Sequence, residues 1–142
     1  MKSVLALSVA AVLGLIHAVL HTVGGVYGSM PPGPATVALE AMKTNPFPFF
    51  GVTRTFWDFH HGMGLMVTIF LTDESIVFWQ FASLAKSATL RLRPILTTFL
   101  IAYVALAIIS LRYFFLIPVI TEILIAACFA WAIAAAKSPV TA

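Results

Sequence analysis

Four apolar stretches, each close to the length that crosses a lipid bilayer, constrain this chain more than any other feature. They fall at about residues 4–27, 55–84, 95–111 and 115–136. A spanning helix needs about 20 mostly apolar residues. Between the stretches lie segments that break helices or carry charge: GSMPPGP at residues 28–34, AKSATLRLR at 85–93 and RYFFLIP at 112–118. Hydrophobic residues make up 61% of the chain, charged residues 9%, and the mean hydropathy is +1.04, far from a soluble domain. The expected fold class is all-α, a four-transmembrane-helix bundle with a proline- and aromatic-rich loop between helices 1 and 2. A single membrane domain is expected over residues 1–142.

Charge sets orientation rather than partners. The net charge is +3 and the basic residues are scattered, so no phosphate-tracking surface for nucleic acid is expected. Four spans put both termini and the second connection on one side. That side holds Lys2, Lys86, Arg91, Arg93 and Lys137, against Lys43, Arg54 and Arg112 on the other. The bias predicts cytoplasmic termini in a bacterial inner membrane. The first apolar run continues past the length of a signal-peptide core to Tyr27 without a small-x-small cleavage site, and is expected to be retained. Cys128 is the only cysteine, which excludes an intrachain disulfide and a thiolate metal cluster.

Residues 51–79 concentrate the chemistry. Arg54, Asp58, His61, Leu65, Thr68, Thr72, Ser75 and Trp79 fall in one helical stripe, which in lipid should face protein or trapped water. Asp73 and Glu74 flank it, Glu74 less well aligned, and their roles stay open. In the first span, Gly14, His17, His21, Gly24 or Gly25, and Gly28 share a face, and in the last Glu122 shares one with Ala126, Ala130 and Ala134. At ~1.5 Å per residue His21 lies roughly 9 Å inside its helix end and Glu122 roughly 10 Å below its own, so polar groups from three helices converge on one half of the membrane. Residues 36–43 read as a short amphipathic helix, and residues 45–51 as an aromatic, proline-stiffened interfacial segment.

Several chemistries fit that set. Arg54 and Asp58 can pair four residues apart, and Arg112 can pair with Glu122 or Asp58, a latch that needs no substrate. His17, His21 and His61 offer imidazoles for bis-histidine haem or, with Glu122, for a divalent metal, but no HExxH or matched histidine pair is present. No resident cofactor or metal site is therefore expected. His61, Glu122 and Asp58 are the candidates for acid/base catalysis on a lipophilic substrate. Whether a reaction occurs stays open.

The residues RTFWDF at 54–59 with Gly62, Gly64 and Leu65, then Trp79-Gln80, Arg112-Tyr113-Phe114-Phe115, Pro118 and Cys128, resemble a family of small bacterial four-helix integral membrane proteins of unknown function. The likeness extends from Ser29 to Cys128 and implies the architecture without an activity. Such proteins more often carry an aromatic at the position of His60, which removes His60 from the essential set. Arg54, Trp57, Asp58, Gly62, Gly64, Arg112 and Tyr113 match the pattern.

The leading functional expectation is a pocket for a lipid, quinone or sterol-like molecule in the outer half of the bundle. Arg54, Asp58 and Arg112 would fix the polar head, Trp57 and Tyr113 would line the mouth, and His17, His21, His61 and Glu122 would supply the polar interior. The alternative is an accessory or assembly subunit of a larger membrane complex, or a homo-oligomer, packing through the small-residue faces of the first and last spans.

Overall fold

The computed structural model describes residues 1–136, with the backbone alone at Thr89. Lys137, one of the charges that sets the expected orientation, lies outside the described residues. Helix α1, Lys2–Leu20, runs directly into one π-helical turn, His21–Val26. Helix α2, Pro34–Thr44, precedes a two-stranded antiparallel hairpin of β1, Phe47–Phe49, and β2, Val52–Arg54. The long helical run Phe56–Tyr113 is broken where Ala88 leaves helical geometry (φ −137°, ψ 33°), giving α3, Phe56–Ala88, and α4, Leu90–Tyr113. Helix α5 is Leu116–Ala135. Four helices, Lys2–Val26, α3, α4 and α5, are long and apolar enough to cross a membrane. The all-α class follows.

Two expectations change. Residues 85–93 were expected to form a polar connection, but helix continues on either side of a single kink. Ala, Leu, Lys and Arg are strong helix formers, so charge alone does not end a helix. Residues 47–54, overlapping the aromatic segment expected at 45–51, fold as a two-stranded hairpin. Its turn places Phe50 (φ 46°) and Gly51 (φ 82°) both in the left-handed region, as a type I′ turn requires. Helix α2 matches the expected amphipathic helix, with Pro34 opening it and the Thr36 hydroxyl accepting the Gly33 N–H at 3.0 Å.

The chain divides into two compact units. The first joins residues 1–17 to the segment from Leu71 onward, and holds the apolar core. At its centre the fully buried Phe78 ring meets Phe129 (4.8 Å between centroids), Phe99 (5.3 Å) and Tyr103 (5.8 Å), mostly edge to face. Ala6, Ala10 and Ala11 of α1 and Ala126 and Ala132 of α5 let the backbones approach. Ser3 donates to the Ala132 carbonyl at 3.1 Å, and Arg93 donates to the carbonyls of Ile133 (3.3 Å) and Ala136 (2.8 Å), satisfying groups that the end of α5 leaves open. In α5 the buried residues are Val119, Thr121, Glu122, Ile125, Ala126, Cys128, Phe129 and Ala132, while Ala130 and Ala134 are exposed. Four-residue steps precess around a helix of 3.6 residues per turn, so the expected Ala130 and Ala134 face drifts outward.

The second unit is Ala18–Phe70. An aromatic cluster ties the hairpin to the start of α3: Phe47 lies 4.8 Å from Phe56 and 6.1 Å from Phe59, and Phe49 lies 5.1 Å from Phe59. Here the π turn meets α3. The His21 Nε2–H donates to the Gly64 carbonyl at 3.1 Å, and Thr22 and Thr68 share a 3.0 Å hydrogen bond. A Cβ on Gly64 would sit 3.1 Å from Val26, so glycine permits this approach.

Candidate functional site

In the second unit, the start of α3 is fixed by its own cap. The Thr55 hydroxyl accepts the Asp58 N–H at 3.1 Å, and the Asp58 carboxylate accepts the Thr55 N–H at 2.7 Å, a reciprocal capping box. Asp58 thus closes the helix end instead of pairing with Arg54, whose guanidinium donates to the Thr53 carbonyl at 2.8 Å. Both are exposed.

With the cap in place, Trp57 and His61 stand one turn apart and their rings stack at 5.4 Å with 26° between planes. The Tyr27 ring meets His61 edge-on at 5.7 Å, and the Lys43 ammonium sits 5.2 Å from the Trp57 ring centroid, within cation–π range. The His61 Nδ1 atom is buried and has no hydrogen-bond partner among the described residues. A buried ring nitrogen without a partner costs about 1–3 kcal/mol unless something else satisfies it. His60, on the neighbouring face, is exposed against Trp57.

The π turn shapes this corner. Inserting one residue per turn rotates Tyr27 relative to a regular α-helix, and the Tyr27 N–H bonds five residues back to Thr22 at 3.0 Å. Such turns recur at functional sites. Tyr27 and Lys43 were missed as site residues in the sequence, where Tyr27 reads as a span end and Lys43 as the end of a short amphipathic helix; the paired Gly24 and Gly25 beside Tyr27 were the available signal.

The first unit holds the remaining predicted residues. Glu122 is buried, with 5% of its surface exposed, and its carboxylate accepts the Ser110 hydroxyl at 2.9 Å while Oε2 lacks a partner among the described residues. Seven residues before Ser110 on α4, the Tyr103 hydroxyl donates to Glu74 at 2.7 Å. Seven residues are two turns, so Tyr103 and Ser110 share one face. His17 is buried. Arg112 and Tyr113 end α4 exposed, Tyr113 at 76%, and Arg112 forms no ion pair with Glu122. Glu74, expected to align less well than Asp73, is the one that turns inward.

Among the described residues no three His, Cys, Asp or Glu side chains gather as a metal site, and the His21 Nε2–H is committed to Gly64. Comparison of the chain with protein-family models, curated proteins and solved structures returned no match.

Proposed function

We propose that this is a four-span integral membrane protein of a bacterial inner membrane, with both termini cytoplasmic, that binds a flat amphiphilic molecule against Trp57 and His61. The observation that carries the binding reading is the buried, unpartnered His61 Nδ1 held between the Trp57 and Tyr27 rings. An indole stacked on the imidazole, a phenol ring set edge-on to it and one free polar atom suit a planar ring bearing a carbonyl oxygen, the chemistry of a quinone. The ring nitrogen donates to that carbonyl, and Lys43 supplies a cation beside the polar head. Of the three candidate acid/base groups, His61 is the one with a free nitrogen in this unit, and any proton transfer to the ligand passes through it. The membrane reading is supported by large apolar side chains exposed along all four long helices, among them Leu15, Ile69, Phe70, Ile101, Ile108 and Ile123. The resemblance to small bacterial four-helix membrane proteins belongs to this proposal.

Decylubiquinone is the test probe. With Trp79 and Trp131 replaced by phenylalanine, Trp57 alone reports, and decylubiquinone added to the detergent-solubilised protein is expected to quench it saturably. His61→Phe keeps a stacked ring but removes the nitrogen, and should weaken the apparent Kd about tenfold, the loss of one buried hydrogen bond. Quenching that rises linearly with probe concentration, or that is unchanged in His61→Phe, contradicts the proposal.

A further inference from the structure

Asp73 is placed where a membrane protein can least tolerate a lone carboxylate. Its neighbours fix its depth. Ser75, two residues on, packs against Gly14, halfway along Lys2–Val26, at a distance where a glycine Cβ would meet the Ser75 Oγ at 2.6 Å. Glu74, the next residue, bonds Tyr103, close to the middle of α4. Phe78, one turn further, packs on Phe129 of α5. Three neighbouring helices thus place Asp73 within about a turn or two of their midpoints.

At that depth Asp73 faces outward. It is exposed, and it has neither a hydrogen bond nor an ion pair among the described residues. Ile76, Gln80 and Leu84 continue the same helical face, all exposed, and Gln80 is a second uncommitted polar side chain on it. Helix α3 is also the least covered of the four: 11% of its most apolar stretch is buried, against 44% in Lys2–Val26 and in α5. A face that carries a carboxylate and an amide is poorly matched to hydrocarbon, where an aspartate at a helix centre is among the costliest side chains to insert.

We propose that this face of α3 docks a transmembrane helix of another protein that carries a lysine or arginine at mid-depth. The inference rests on the four-span reading above. Charge complementarity selects the occupant. A second copy of this chain brings no lysine or arginine to that depth: Lys2, Lys43, Arg54, Lys86, Arg91, Arg93 and Arg112 lie outside or near the ends of the long helices, Lys137 falls outside the described residues, and His17 is buried within its own chain. A parallel pair of copies would instead set Asp73 against Asp73. A basic residue on a foreign helix forms the pair that makes an intramembrane carboxylate tolerable, and the Gln80 amide adds a hydrogen bond two turns along.

The test is photo-crosslinking of the full chain in its native membrane, with benzoylphenylalanine replacing Ile76. The expected product joins a transmembrane peptide of another protein whose lysine or arginine lies within a turn of the attachment point. Asp73→Asn should lower its yield about tenfold, in the range of intramembrane polar contacts. Asp73→Lys should abolish it, and aspartate at the partner's basic residue should restore it. Crosslinks only to a second copy, only to lipid, or to a segment without a basic residue overturn the proposal, as does an unchanged yield in Asp73→Asn. Alkaline carbonate extraction of the same membranes separates the two readings. Release of the protein refutes both, whereas retention without the foreign crosslink refutes the docking face alone.

Discussion

Phe78→Ala is expected to destabilise the protein by about 3 kcal/mol or more, read as an earlier midpoint when the detergent-solubilised protein is unfolded by dodecyl sulfate. Phe78 is fully buried, and its ring is the one that Phe99, Tyr103 and Phe129 all touch, so removing it deprives three aromatic neighbours of contacts at once. Those rings are carried on α4 and α5 and cannot all shift inward to fill the space. In a lipid environment the transfer of apolar surface from water contributes little between helices, and the loss is one of close packing. Ile69→Ala, at a position 60% exposed, serves as the control and should change stability by less than about 0.5 kcal/mol. Equal effects at the two positions would mean that the aromatic cluster is not the core.

Gly14→Leu is expected to be comparably severe, at about 3 kcal/mol, because a leucine must enter space already held by Ser75. A Cβ at Gly14 would lie 2.6 Å from the Ser75 hydroxyl oxygen but 3.5 Å from its Cβ. The obstruction at the first carbon is therefore the hydroxyl itself, which now donates to the Leu71 carbonyl at 2.7 Å. This gives a sharper form of the prediction. Gly14→Ala alone should cost roughly 1 kcal/mol, and Ser75→Ala in the same chain should recover most of it, a coupling that two independent sites would not show. The same dodecyl sulfate titration on the four variants of the cycle measures it.

The helices were legible in the sequence because hydropathy and length are enough to define them. Their inner faces were legible only where the polar signal was strong. Of the stripe read from spacing, His61, Thr68, Thr72 and Ser75 turn inward, but Arg54, Asp58, Leu65 and Trp79 are exposed, Trp79 at 60%. Tyr103 and Ser110 looked unremarkable among apolar neighbours on α4. Their role depends on Glu74 and Glu122, carried by other helices, and no local pattern announces such partners. Arg54 and Asp58 read as an ion pair from their four-residue spacing. The competing signal was Thr55, three residues before Asp58, which makes the aspartate a cap. The hairpin was hidden because Phe50 occupies a left-handed turn position that asparagine or glycine would normally advertise.

Sidedness tests the central claim, that α3 crosses a membrane and carries the Trp57 and His61 site near its outer end, most directly. In a Cys128→Ala background, Phe50→Cys at the exposed hairpin tip and Lys86→Cys near the far end of α3 each provide one thiol. A membrane-impermeant maleimide applied to spheroplasts is expected to label the first directly and the second only after the membrane is permeabilised. Labelling of both thiols in sealed spheroplasts, or of Lys86→Cys alone, would contradict the account.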